Sequence, residues 1–488
     1  MSQGVRSFLP SRRAVVGGLL ASAPLLGSAR AWAKGPQSVD VVIIGAGLAG
    51  LNAAAILEGQ GLSVQVVEAS DRVGGRLRTG RADGYQAELG ASEVGALYGR
   101  VRDACSRLNV GLTNKGGIPT DFLLHVNGAS LRPEDWATAP VNMTRGAERT
   151  ILPYILQTGL FQRWLPFKDT AAWLDPSNLA YDVSAAEFMR AKGVSEAAIR
   201  LADIDVNGPS LESISALSIF RDLARARAEG FTDPNKPQYG VNNMERSYIV
   251  GGSDVLPKAM AAALKTPVRL LSPAVAVDQG DDKVRVQLAN GDVLTGKHLV
   301  VAAPYSAVRN IRFTPGLPDA QADAIAGALY SATTQFHFRI TKPYWEKDGL
   351  PPSLWTDLPF ERAFALKSPE TGAIDTLIVW VNGDGATRWD DREVELQSDL
   401  VRAELAKVRP SMVGSLEYIL GYSWGRNPYV RGNKHVFGPG QVKRFATEMG
   451  KPVGRIHFAG EHLRRLEHGM ESAMETGEAA ALEILEKA

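Results

Sequence analysis

Val39-Asp40-Val41-Val42-Ile43-Ile44-Gly45-Ala46-Gly47-Leu48-Ala49-Gly50 runs an almost unbroken apolar segment straight into three glycines. A segment without polar alternation is what a strand buried on both faces requires. Leu48 to Glu58 then carries Ala and Leu at helical density, Gly59 and Gly61 end it, and Ser63 to Glu68 reads as a second strand. This predicts strand, helix and strand in succession, with a G-x-G-x-x-G spacing at the first turn. Gly45 allows the tight turn, Gly47 lets the backbone approach a pyrophosphate, and Gly50 lets helix and strand pack closely. The helix start at Leu48 and Ala49 offers free N–H groups to the phosphates. Glu68 follows at the end of the second strand, about twenty residues on, where an acid accepts from a ribose hydroxyl and disfavours a 2′-phosphate.

Beyond Glu68 the chain reads Ala69-Ser70-Asp71-Arg72-Val73-Gly74-Gly75-Arg76. Two adjacent glycines flanked by arginines can lie against the same pyrophosphate from the other side, with arginine supplying charge. Such a second loop separates FAD from NAD as the expected dinucleotide.

The rest of the chain sets limits. At 488 residues it is long enough for two or three domains with a cleft between them. A hydrophobic content of 45%, a charged content of 22% and 49 glycines fit a globular enzyme, and a net charge of +1 gives no field for nucleic acid. Cys105, the single cysteine, excludes an internal disulfide and any multi-cysteine metal site. Ser11-Arg12-Arg13, the apolar run Ala14 to Leu26 and Ala31-Trp32-Ala33 read as an export signal over 1–33 with a Tat-like twin arginine. A periplasmic or secreted protein is therefore expected, without a stable membrane span. Between about Leu112 and Tyr239 the pattern reads as helical. Val268 to Val301 reads as short strands around an Ala289-Asn290-Gly291-Asp292 hairpin turn. Arg388 to Lys407 reads as a charged helix, Ile456 to Gly460 as a strand, and Met470 to Glu486 as a closing helix.

The Glu68 to Arg76 run resembles the flavin-containing amine oxidase family, which includes monoamine, polyamine and L-amino acid oxidases. Glu88-Leu89-Gly90-Ala91-Ser92 is similar to the family's segment leading toward the flavin. Tyr248-Ile249-Val250-Gly251-Gly252-Ser253 is similar to its return into the FAD domain. His457-Phe458-Ala459-Gly460-Glu461 and Gly469-Met470-Glu471-Ser472-Ala473 resemble its closing flavin motif. The resemblance implies an α/β fold: a Rossmann-like FAD-binding domain from 38–84, 248–310 and 450–488. An inserted mixed α+β substrate domain would come from 85–247 and 311–449. It places Val275, Gly460, Glu461, Gly469 and Met470 at the cofactor with the residues already named. Glu461 would lie near the ribityl–phosphate region, and the helix start at Met470 would face the flavin pyrimidine.

Departures from the family bear on the substrate. The family often places a lysine beside flavin N5. In the register of Ser331 to Phe338 running up to Pro343-Tyr344-Trp345, Gln335 takes that place. Monoamine oxidases flank the amine with two aromatic rings, and here Lys434 and Met470 stand there. Asn433 stands where some members tether the flavin through cysteine, so FAD is expected to be non-covalent. Glu93 stands near the carboxylate-binding arginine of L-amino acid oxidases and could instead hold a substrate cation; a solvated loop carboxylate is the plain alternative. His435, His462 and His468 lack ligand spacing. The resulting expectation is oxidation of a C–N bond of an amine or amino acid by hydride transfer to flavin N5, in a dry, apolar cavity. The acceptor would be oxygen or a redox protein, and a homodimer is compatible with the chain. The alternatives are an FAD-dependent desaturase of a hydrocarbon or isoprenoid, which shares these motifs and lacks the lysine, and an FAD-bound structural or sensor protein.

Overall fold

Strand Ser38–Ile44 lies inside a seven-stranded sheet, parallel to Val64–Val67 on one side and to Val293–Val301 on the other. Val41, Val42 and Ile43 have no exposed surface, the outcome expected of a strand covered on both faces. Strand Val293–Val301 carries two partners on its far edge. Its first half pairs antiparallel with Val284–Leu288, and its last three residues pair parallel with Ile456–Phe458. Ala274–Gln279 and Arg312–Thr314 complete the sheet, so distant stretches of the chain build one layer. The expected hairpin turn is present, with Gly291 at φ +89. The computed structural model describes residues 38–82, 84–115, 121–235, 246–368 and 371–487, and the expected export signal lies outside them.

Helix Leu48–Gly59 packs along the closing helix Gly469–Leu485. They meet tightly at Gly477, where a Cβ would come 2.2 Å from the Ala49 carbonyl oxygen. Only glycine permits that contact, which holds the last helix of the chain over the first.

A second seven-stranded sheet runs in the order Leu416–Ser423, Thr333–Ile340, Ile374–Asn382, Arg362–Lys367, Ser353–Thr356, Phe122–Val126, Ala129–Leu131. The last two strands correct the helical expectation after Leu112. They are joined by Asn127 (φ 50) and Gly128 (φ +81), the Asn-Gly pair a tight hairpin uses. The charged helix expected from Arg388 begins only at Ser398 and ends at Val408. Before it, Gln397 Nε2 donates to the Trp389 and Arg392 carbonyls and closes the chain into a loop. Helices Leu156–Trp164, Ala185–Ala191, Glu196–Asp203 and Ala216–Ala228 make a separate layer around Phe161, Phe188 and Phe220. Among the described residues no helix is long and apolar enough to cross a membrane, and no cluster could hold a metal ion. Cys105 is a buried thiol, pushed up by its burial.

Candidate active site

The glycines of the first turn have distinct jobs. Gly45 sits at φ +107 with its missing Cβ 2.9 Å from the Ala302 carbonyl oxygen, and a Cβ on Gly50 would lie 2.0 Å from the Gly45 carbonyl oxygen. Both positions are sterically closed. A Cβ on Gly47, by contrast, would meet no atom within 4 Å. Gly47 therefore borders open space at the start of helix Leu48–Gly59, which has no side-chain cap. Unbonded N–H groups and a helix dipole face that space. Gly75, at φ +56, closes it from the other side, with its missing Cβ 3.4 Å from the Gly47 Cα.

Glu68 accepts from the Ala46 N–H at 2.8 Å through one oxygen and from Ser70 N–H and hydroxyl through the other. Backbone hydrogen bonds from Leu271 and Ser272 bring the segment before Val275 beside Glu68, Ala69 and Ser70. Val275 itself is 38% exposed. The Arg72 guanidinium donates to the Val73, Gly75 and Leu77 carbonyls, so its groups shape the double-glycine turn at Gly74 and Gly75. Arg76 reaches further, donating to Glu461 Oε2 at 2.8 Å and to the Asn433 carbonyl at 3.2 Å.

Beyond Arg76 the groove meets a cavity of about 900 Å³. Its floor is one face of the second sheet: Thr376, Ile378, Trp380 and Asn382 alternate along one strand, with Arg362 and Phe364 on the next. Gly469 and Met470, at the start of the closing helix, form part of the wall, and Glu471 behind them accepts from the Arg100 and Val101 N–H groups. Glu93 and Lys434 also line the cavity. Lys434 Nζ lies 2.5 Å from Asp222 Oδ2, and Asp222 Oδ1 accepts from Arg464 as well. Burial pulls the Lys434 ammonium down to about 8. Its side chain is nevertheless 28% exposed, because that surface faces the cavity. The largely apolar lining also carries charge that the sequence reading did not foresee: Glu88, Glu93, Asp205, Asp222, Lys434 and Arg464 stand in the wall.

A sequence model described as "Flavin containing amine oxidoreductase" matches residues 48–485. The chain belongs to the flavin-containing amine oxidoreductase family. Curated relatives of this amine oxidoreductase include L-amino-acid oxidases of Demansia vestigiata, 25% identical, and Protobothrops flavoviridis, 26% identical. Each alignment covers 91% of this chain, and 86% and 88% of the relative. Among solved structures, a putrescine oxidase triple mutant superposes with TM-score 0.76 at 21% identity. Cyclohexylamine oxidase from Brevibacterium oxydans IH-35A superposes with TM-score 0.75 at 24% identity. Each covers 92% of this chain and 99% of that chain. The fold is therefore that of the amine oxidases, and the protein is an oxidoreductase with a flavin cofactor.

The residues present fit a flavin dinucleotide. The cradle at Gly47 would be filled by a Cβ, the Glu68 carboxylate accepts from the Ala46 N–H of the same turn, and Arg76 and Glu461 join the two halves of the groove. The remaining residues of interest divide. Gln335 is 1% exposed and outside the cavity wall. Its Nε2 donates to the Leu89 carbonyl at 3.3 Å, and its Oε1 faces His337 Nε2 at 2.9 Å. With the amide so oriented, His337 Nε2 carries the proton, and burial pushes that imidazole down to about 3. Glu93 is ion-paired with Arg246 and approached by the Tyr248 hydroxyl, so its charge is already met. His435 and His462 are buried and held neutral by their burial, and the His468 ring packs on Tyr98.

Asp222, Arg464, Asp205 and Arg362 were absent from the sequence expectations. The first had a signal: Arg221, Asp222 and Arg225 are charges within a helix whose other residues are mostly apolar, and such charges are buried only when partnered. Arg464 carries none, since Leu463-Arg464-Arg465 reads like any solvated turn.

Proposed function

We propose that this amine oxidoreductase uses non-covalently bound FAD to oxidise a C–N bond of an amine or amino acid to an imine, which water then hydrolyses. The observation that supports this best is the junction of groove and cavity: Met470 and Lys434 stand in the cavity wall beside the Arg76–Glu461 end of the groove. Bound in that groove, the flavin would supply the oxidant, as an acceptor at N5 for a hydride equivalent from the carbon beside the amine. The chain's own task is to hold the cofactor and to orient the substrate. Gly45, Gly47, Leu48, Ala49, Gly50, Gly74 and Gly75 cradle the pyrophosphate; Glu68, Ala69 and Val275 border the adenosine. Arg72, Arg76, Gly460 and Glu461 fix the ribityl side, and Gly469 and Met470 direct helix N–H groups toward the flavin ring. Lys434 and Arg464 share the single counter-charge of Asp222, so this corner favours a substrate that carries an anionic group.

The charged wall opposes a hydrocarbon or isoprenoid substrate, for which buried carboxylates have no use. We further assign 38–84, 248–310 and 450–488 to the FAD domain and 85–247 and 311–449 to the substrate domain. The 1–33 segment is assigned to Tat-type export, the acceptor to oxygen or a redox protein, and a homodimer is compatible with these assignments. Anaerobic mixing with a panel of amines, amino acids and polyenes tests the reaction. Bleaching of flavin absorbance by an amine or amino acid is expected; bleaching by polyenes alone would reject it.

A further inference from the structure

The cavity is larger than a simple amine requires, and its charges are unevenly placed. On the nucleotide side, Gly90 packs against the Arg76 carbonyl, and the neighbouring Leu89 carbonyl accepts from both Gln335 and Trp424. Gln335 thus marks that side of the floor. In register with it across the sheet stand Trp380 and then Arg362. Neighbouring strands are about 4.8 Å apart, so Arg362 lies roughly 10 Å across the floor.

Arg362 has two carboxylates around one guanidinium. Asp205 Oδ1 accepts from it at 2.9 Å and Glu361 Oε2 at 3.2 Å, while Asp205 Oδ2 accepts from the Trp355 indole at 3.0 Å. Asp205 lines the cavity together with Asn207, Trp380 and Asn382. The other carboxylates of the wall are met differently: Glu93 by Arg246, Asp222 by Lys434 and Arg464, Glu88 by the Ser253 N–H and the Ser253 and Thr79 hydroxyls, and Asp375 by the Thr376 hydroxyl. At Asp205 a single guanidinium is shared between two carboxylates, and the further cation, Arg388, acts on Glu361. Burial accordingly raises Asp205 to about 6 and Glu361 to about 7.

A second observation points the same way. His337, fully buried in the same floor, has its Nε2 proton committed to Gln335, and its Nδ1 has no partner. The floor therefore holds a lone-pair acceptor short of a donor as well as a carboxylate short of a cation. A group that brings both hydrogen-bond donors and positive charge is an alkylammonium, and Trp380, the cross-strand neighbour of Arg362 in the cavity wall, offers it an aromatic ring.

We propose that the Asp205 end of the cavity is a subsite for a second, remote ammonium group, so that the substrate is a basic amino acid, its carboxylate met by the Lys434 and Arg464 corner and its side-chain ammonium by Asp205. This rests on the C–N oxidation reading and narrows its substrate class. It also moves the remote-cation role from Glu93, whose charge Arg246 already meets, to Asp205.

The test uses the holoenzyme and two matched pairs: cadaverine against hexylamine, and L-lysine against L-norleucine. Each pair differs chiefly in the terminal ammonium. Anaerobic flavin bleaching gives the half-saturation concentration and the limiting rate. In the native enzyme the ammonium-bearing member of the better pair is expected to half-saturate at roughly tenfold lower concentration. Asp205→Asn, which keeps the hydrogen-bonding shape, is expected to remove that preference. Asn207→Asp, at an exposed position on the same wall, is expected to increase it. Equal half-saturation within both pairs, or a preference that survives Asp205→Asn, overturns the subsite while leaving C–N oxidation standing. No bleaching by any amine or amino acid overturns the oxidation reading itself.

Discussion

Arg76 Nη1 and Glu461 Oε2 meet at 2.8 Å across 385 residues of sequence, both largely shielded from solvent. The pair joins the double-glycine loop after the first βαβ unit to the strand-end motif that closes the chain. The same guanidinium holds the Asn433 carbonyl, so one side chain ties together three segments of the groove.

Removing one partner should therefore loosen the cofactor more than it loosens the fold. Glu461→Ala leaves Arg76 without its counter-charge, a change that costs about 3 kcal/mol when a buried pair is broken. Flavin retention after gel filtration and thermal unfolding of the apoprotein are the measurements. We expect marked loss of flavin with a smaller fall in apoprotein stability. Full retention of flavin would show that the pair does not border the cofactor.

The two glycines Gly47 and Gly50 give a sharper contrast. Gly47→Ala adds a methyl group to open space at an ordinary backbone conformation, so the protein should fold and unfold as before yet elute without flavin. Gly50→Ala drives a methyl group into the Gly45 carbonyl and should lower stability by about 1–3 kcal/mol. Denaturant midpoints and flavin absorbance of both variants decide it. A yellow Gly47→Ala protein would remove this cradle from the binding site.

Much of the groove was legible because its requirements are local. Gly45, Gly50 and Glu68 lie in one βαβ unit, and the turn, the strand and the acid can each be read from neighbours in sequence. The cavity was not legible in this way. Asp205, Asp222, Arg362 and Lys434 come from a loop, a helix, a sheet strand and a second short strand, and they pair with one another, Asp205 with Arg362 across 157 residues and Asp222 with Lys434 across 212. A charge at any of these positions looks solvated until the fold buries it. The hairpin at Asn127-Gly128 failed for a different reason: Phe122, Leu123 and Leu124 are a short apolar run, which periodicity alone does not separate from a helix.

Lys434 predicts a limit on the alkaline side. Burial lowers its ammonium to about 8 while Asp222 holds it at 2.5 Å, so the charge is present at neutral pH and is lost as pH rises through about 8. The half-saturation concentration of an amino acid should rise across that window, and Lys434→Met should flatten the rise. Benzylamine and phenethylamine, which carry no anionic group, should reduce the flavin slowly and without this dependence. Rapid, complete bleaching by either would sink the assignment of Lys434 and Arg464 to the substrate.

The Asp205 cluster predicts a stability change of opposite sign to that of most acids. Its carboxyl is raised by burial from 3.8 to about 6, and that of Glu361 from 4.5 to about 7. Arg362 lowers both, Asp205 raises Glu361, and Arg388 lowers Glu361. A raised value means that the folded chain binds the proton more tightly than the unfolded chain. These two groups therefore stabilise the fold below their unfolded values, and that contribution is lost as pH rises through about 6 and 7. A cation seated at Asp205 would favour the ionised forms and offset the loss. Thermal unfolding of the holoenzyme with and without cadaverine should show greater stabilisation at about pH 8 than at about pH 5, because binding is then linked to fewer released protons. Hexylamine should show no such difference, and Asp205→Asn should reduce that of cadaverine. Equal stabilisation by cadaverine at both pH values in the native enzyme would mean that its second ammonium does not meet these carboxylates.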